Sequence, residues 1–229
     1  MICFSAIYAS LSLVPLFKVM GAPGFIPLAR ISEPLMGVIL GPPAFVAAAL
    51  GGLIAYLITG SGPFGPLSFL PGASSALFSG LMARGKRKLC FCSYLAALLA
   101  LALWPRAGPS WACPIFLWLH LVGLPLSAHK PGDLIDEDLK RRSFSFFVLS
   151  LASTLFGHLV GCLMFVSLFY AMGGQMDWGA LWWSLVLIYP VERSIIALAS
   201  TALGLPILET LRRAGLLGPR ESPERDLLL

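Results

Sequence analysis

Three ionisable side chains stand inside long apolar runs. His158 lies in the segment TLFGHLVGC (154–162), and Glu192 and Arg193 are neighbours in YPVER (189–193). An imidazole and a carboxylate are side chains of acid–base chemistry. Charged groups within an apolar span are costly and rare, so each is a candidate for function. Adjacent residues on a helix do not face one another. Glu192 and Arg193 are therefore each expected to find a partner elsewhere, or one of them faces a wet cavity; an ion-pair lock to a neighbouring helix is the alternative. Pro190 is expected to kink its helix and free carbonyls near residue 186 for a polar site. His158 and Glu192 each lie about 14 to 15 residues from opposite ends of consecutive antiparallel spans, which at 1.5 Å per residue sets them at one depth, where a hydrogen bond between them is plausible. Gly157 and Gly161 permit close helix approach around the histidine. A purely structural hydrogen bond is the other reading of His158.

A second group is expected at the outer ends of the spans. Arg30 and Glu33 are spaced i,i+3 and either cap a helix or belong to a loop over an outward-facing pocket. Asp177 adjoins Trp178, with Trp182 and Trp183 following. The tryptophans read as an interfacial belt, or as a surface on which a flat ligand stacks. The first apolar run carries two small-residue pairs, Ser5-x-x-x-Ala9 and Ala6-x-x-x-Ser10, a spacing that permits close helix packing in a bilayer.

Other chemistry is excluded by what is missing. There is no G-x-x-x-x-G-K-[ST] phosphate loop, no H-E-x-x-H and no G-x-S-x-G. There is no aspartate pair of the intramembrane protease kind either. The five cysteines are odd in number and lie in or beside apolar runs, so no disulfide framework is implied. Cys90 and Cys92 form a C-x-C pair with no histidine or further cysteine near in sequence, and the three histidines at 120, 129 and 158 are scattered. No metal site and no cofactor is expected.

The elements that must position these residues are apolar helices. The chain of 229 residues is 58% hydrophobic and 12% charged, against about 25% charged for an ordinary soluble domain. That composition points to an integral membrane protein. The start is apolar from Ile2, without a basic leader region, and is read as a first transmembrane helix rather than a signal peptide. From Glu33 to Ala83 no charge follows the first glutamate; then Arg84, Lys86, Arg87 and Lys88 arrive together. Gly41-Pro42-Pro43 breaks this stretch and predicts a tight helical hairpin. Eight spans are expected, at about 2–20, 29–41, 43–59, 67–83, 89–104, 111–127, 143–172 and 178–208, with six or seven as alternatives. They form one transmembrane domain over 1–208, followed by a cytoplasmic tail at 209–229. With both termini inside, twelve of the sixteen Lys and Arg fall on the cytoplasmic side, in the 84–88 cluster, the 128–142 loop and the tail, as the positive-inside rule requires. Lys18, Arg30 and Arg106 fall on the opposite side. The 128–142 loop reads as a solvated connection with a short amphipathic helix after Gly132, or as a docking surface for a cytoplasmic partner.

The order of these features resembles a known family. A first helix with small-x-x-x-small spacing precedes a proline-bearing outer loop (21–27). A helix ending in Gly41-Pro42, a helix containing Gly51-Gly52, a Gly/Pro turn at 60–66 and a helix closing in Ser79-Gly80 before a basic stop come next. The late helices, one with Gly157-His158-x-x-Gly161 and one with a midspan proline and Arg212-Arg213 at its end, continue the likeness. The pattern is similar to the substrate-binding S-component of energy-coupling factor (ECF) vitamin and micronutrient transporters. The family commonly has six helices rather than eight, which leaves the 89–127 region unaligned. The resemblance implies a multi-pass cell-membrane protein that is not itself an enzyme. It would capture a small nutrient outside and be energised through a transmembrane coupling subunit and cytoplasmic ATPases. Ser5, Ala6, Ala9 and Ser10 match, in part, the family's alanine-rich coupling surface. Arg30, Glu33, Asp177 and Trp178 would line the pocket, with His158, Glu192 and Arg193 deeper in the bundle. The alternatives are a multi-pass enzyme acting on lipid, with His158 and Glu192 as acid and base, and a membrane assembly subunit without a ligand.

Overall fold

A computed structural model of the chain describes residues 1–21, 24–104, 115–129, 134, 138–172 and 177–216. Within them lie eight α-helices: α1 (Ile2–Ser12), α2 (Glu33–Leu40), α3 (Ala44–Thr59), α4 (Leu70–Ala83), α5 (Arg87–Ala102), α6 (Trp118–Ala128), α7 (Leu139–Ala171) and α8 (Trp178–Arg213). The expected helical fold class is met. α7 and α8 are long and apolar enough to cross a membrane. The described strands are β1 (Pro15–Lys18) and β2 (Phe25–Pro27), an antiparallel pair.

That pair corrects the expectation of a first helix over 2–20. α1 stops at Ser12 after 11 residues, about 16 Å at helical rise. The cause is local. Pro15 has no N–H to give a helix and pushes Val14 out of the α region. The Ser12 hydroxyl meanwhile folds back to donate to the Tyr8 carbonyl at 2.7 Å. The chain runs instead through the β1–β2 hairpin into a 3-10 turn at Leu28–Ile31 and then into α2.

The expected α2–α3 hairpin forms at Gly41-Pro42-Pro43. Gly41 takes φ +70°, and a β-carbon there would stand 3.0 Å from an Arg84 guanidinium nitrogen. A side chain on Gly80 would collide with the Gly41 backbone. The glycine break and the basic stop after α4 are thus at one end of the molecule. α1 packs on α3, α2 and α3 pack on α4, α4 packs on α7, and α7 packs on α8, with α5 and α6 on a further side of α7. Side-chain neighbours set the directions. Pro71 meets Gly157 and Gly161 while Phe78 stacks on Phe156 at 4.3 Å, so α4 opposes α7. Ser150 meets Ser200 at 3.5 Å and Arg142 bonds Glu209 at 3.0 Å, so α7 opposes α8. The end that carries Arg84 to Lys88 therefore also carries Lys140 to Arg142 and Arg212-Arg213.

Helix α8 runs past residue 208. Glu209 continues it and bonds both Arg142 and Arg213, the latter at 2.9 Å. Asp138 caps α7 by accepting from the Lys140 N–H at 2.9 Å. Arg106, Cys113, Lys130, Asp133, Asp136, Glu137, Arg220 and Arg225 lie outside the described residues, as do the helix expected after Gly132 and the end of the tail.

Candidate functional site

Helices α7 and α8 each turn one stripe toward a common cavity. On α7 the stripe is Thr154, Gly157, His158, Gly161, Cys162 and Phe165; on α8 it is Leu181, Trp182, Leu185, Tyr189 and Arg193. Both follow the three-and-four spacing of a single helical face. The hairpin closes one side of the cavity through Val19, Met20, Phe25 and Ile26, with Phe64 and Pro71 beside it, and Arg30 and Glu33 reach in from the turn that follows. The cavity leaves about 80 Å³ to the centres of water-sized groups. One water requires roughly 10–15 Å³ by that measure, so several waters or a small ligand fit. Gly21, at φ +76°, seats the hairpin 3.0 Å from Leu181, counted from where its β-carbon would be.

Glu33 anchors the first polar group. Its Oε1 accepts from the Tyr8 hydroxyl at 2.8 Å and from Arg30 Nη1 at 3.0 Å. The glutamate side chain is 1% exposed and the arginine 14%. The pair thus joins the end of α1, the 3-10 turn and the start of α2, a larger role than capping one helix. Gly72 of α4 packs directly beneath it, because a β-carbon would overlap the Tyr8 hydroxyl and stand 2.8 Å from Arg30 Nη1. Breaking a buried ion pair from one side costs several kcal/mol, because it leaves a buried charge uncompensated.

Arg193 anchors the second. Its Nη2 donates to Oε2 of Glu192 at 3.1 Å, and its guanidinium lies 5.5 Å from the centre of the Tyr189 ring. The expectation that Glu192 and Arg193 would pair elsewhere is therefore corrected. Adjacent Cα positions diverge by about 100° on a helix, but both side chains are long and flexible. Here they bend round the helix to meet. Arg193 lines the cavity and Glu192 stands behind it.

His158 meets α8 at Tyr189, one turn before Glu192, with ring centroids 4.3 Å apart. The equal-depth argument holds to within that turn, but the His158–Glu192 hydrogen bond does not form. Nε2 of His158 instead lies 3.5 Å from Cys162 Sγ. Its ring stacks on His120 at 5.2 Å, and His120 Nδ1 lies 3.2 Å from the Tyr94 hydroxyl. Among the described residues His158 Nδ1 and His120 Nε2 have no hydrogen-bond partner, and no group of three or more metal-binding side chains forms.

Asp177 and Trp178 stand apart from the cavity. Asp177 caps α8, accepting from the Ala180 N–H at 3.0 Å. Trp178 packs against Phe165, Phe169 and Trp182 at 5.5 to 6.0 Å and so backs the cavity wall. The small-residue pairs of α1 divide. Ser5 and Ala9 are buried against Gly51 of α3, whereas Ala6 and Ser10 are exposed on the outer edge. The Val186 carbonyl freed by Pro190 accepts from Trp118 Nε1–H, at 3.4 Å, on the exposed side of the helix and outside the cavity lining, so it does not join the polar site expected there.

Tyr8, Thr154, Cys162 and Tyr189 belong to the site without having been singled out for it by the sequence, whereas Trp182 was among the tryptophans read as a surface for a flat ligand. Thr154, Cys162 and Tyr189 were reachable by stepping three or four residues along the helix from His158 or Arg193. No local signal pointed from Tyr8 to Glu33, which is 25 positions away. Comparison with family models, with curated proteins and with solved structures found no match.

Proposed function

We propose that this chain is the substrate-binding membrane subunit of an ECF-type transporter, capturing a small nutrient from outside the cell. The observation that carries the reading is the cavity beneath the β1–β2 hairpin, walled by α7 and α8 and holding Arg30, Glu33, His158 and Arg193. Small-molecule sites are commonly concave and largely apolar with a few convergent polar groups, and this cavity has that character. In this reading all eight helices form a multi-pass bundle in the cell membrane. The basic end at Arg84–Lys88, Lys140–Arg142 and Arg212-Arg213 faces the cytoplasm with both termini, and the hairpin faces outward.

The outer surfaces of the helices support a bilayer setting. Val46, Leu50, Ile54 and Leu57 line one exposed edge of α3, and Leu187, Val191, Ile195 and Leu198 line one of α8. Continuous apolar edges of that kind require a nonaqueous neighbour.

The chain lacks a nucleotide-binding loop, so energy comes from separate cytoplasmic ATPases through a transmembrane coupling subunit. The exposed Ala6 and Ser10 edge of α1 is the docking face for that subunit, while the Ser5 and Ala9 edge is occupied by α3. The chain performs no chemistry on its substrate. Uptake of a panel of labelled vitamins by cells expressing the protein, with and without coupling subunits, tests the reading. Accumulation that depends on both supports it. Absence of any thermal shift across the same panel with purified protein would count against it.

A further inference from the structure

The cavity lining contains buried polar atoms that the surrounding side chains leave without partners. Arg30 and Arg193 each give one guanidinium nitrogen to a nearby carboxylate, Glu33 and Glu192 respectively. Among the described residues the Nε atoms of both arginines are buried with no hydrogen-bond partner, and so is His158 Nδ1. All three side chains line the same cavity. Buried polar atoms are nearly always partnered, and a buried donor left alone is costly. The hydroxyl oxygen of Thr154, which also lines the cavity, is likewise buried without a partner, so it does not meet these groups. Glu33 Oε1 takes two bonds from Tyr8 and Arg30, and Glu192 lies outside the lining. Each guanidinium is thus charge-paired with its own carboxylate, at 3.0 and 3.1 Å, and each still keeps a buried Nε without a partner.

An anionic acceptor would answer the unmet guanidinium donors. The remaining wall is aromatic and apolar, with Trp182, Tyr189, Phe165 and Phe25 offering ring faces and edges. We infer that the ligand is a small planar monocarboxylate, its carboxylate held between Arg30 and Arg193 and its ring placed against Trp182 and Tyr189. Carboxylate and phosphate both suit guanidinium donors. The small volume favours the carboxylate. The inference rests on the capture reading and names its substrate class.

The test is ligand binding to the purified full chain in a neutral detergent, by thermal shift and calorimetry. The probes are matched pairs, nicotinate with nicotinamide and benzoate with benzamide, with phenyl phosphate as a third arm. At least one carboxylate should bind at least tenfold more tightly than its amide. Arg193→Lys keeps the charge and loses the planar fork, and should abolish most of that preference without unfolding the protein. The paired variant Glu192→Gln with Arg193→Gln removes the lock as a unit and should abolish it as well. Amides binding as well as carboxylates, tighter binding of phenyl phosphate alone, or no binding by either carboxylate would each overturn the inference. Mass spectrometry of small molecules extracted from the purified protein separates the two levels. A neutral or cationic molecule retained in stoichiometric amount sinks the carboxylate but leaves the capture reading standing. If nothing is retained and no probe binds, the capture reading falls too.

Discussion

Gly72 lies so close to Glu33 that no β-carbon fits between α4 and the glutamate carboxylate. The absence of a side chain on one helix is what allows the ion pair of another to be buried. Gly72→Ala must therefore push the Tyr8–Glu33–Arg30 cluster aside. Overpacking of this kind costs about 1–3 kcal/mol. Thermal unfolding in detergent should show the loss, and a ligand held by Arg30 should bind more weakly as well.

Within that cluster the partners are unequal. Tyr8→Phe removes one donor from an acceptor that keeps Arg30, and should cost about 1–3 kcal/mol. Arg30→Met leaves the carboxylate buried without its counter-charge and should cost about 3–5 kcal/mol. Denaturation of the two variants side by side checks the order. Equal losses would mean that the ion pair contributes no more than the hydroxyl.

The Glu192–Arg193 lock predicts strong coupling. Arg193→Met alone strands a nearly buried glutamate and should cost about 3–5 kcal/mol, whereas adding Glu192→Gln should recover much of it. A double-mutant cycle on unfolding free energies measures the coupling. Additive effects would show that the two side chains do not depend on one another.

The two edges of α1 should respond differently. Gly51→Ala places a β-carbon 2.5 Å from the Ser5 carbonyl oxygen and 3.0 Å from Tyr8 Cβ, and should lower thermal stability. Ala6→Leu and Ser10→Leu alter only the exposed edge. They should leave stability within about 0.5 kcal/mol and ligand binding intact, yet reduce uptake when the coupling subunit is present. Retained uptake would remove that edge as the docking face.

Much of the helical order was legible because apolar runs and Gly/Pro breaks are local signals. The 43–59 run became α3 at Ala44–Thr59, and Gly41-Pro42-Pro43 became the expected turn. The 2–20 run misled because apolar content does not separate a helix from a strand. Pro15 was the decisive residue, and it lies inside that run. At the site, ionisable residues inside apolar runs pointed to His158 and Arg193, and both line the cavity. It could not say that Glu192 would turn away, since that depends on side-chain rotamers. The Tyr8–Glu33 bond depends on α1 meeting α2 across the fold, and no spacing within either helix encodes it.

The β1–β2 hairpin and α1 are one uninterrupted piece of chain. The roof of the cavity therefore continues directly into the helix whose outer edge carries Ala6 and Ser10. Tyr8 ties that same helix to Glu33 on the cavity wall. On the capture reading, a ligand that settled under the roof would also steady α1, through the covalent chain and without a signal crossing the packed core. On that same reading a filled cavity and an empty one would present different α1 edges to a coupling partner, which would tell a loaded subunit from an unloaded one by touching a helix that lies outside the cavity lining.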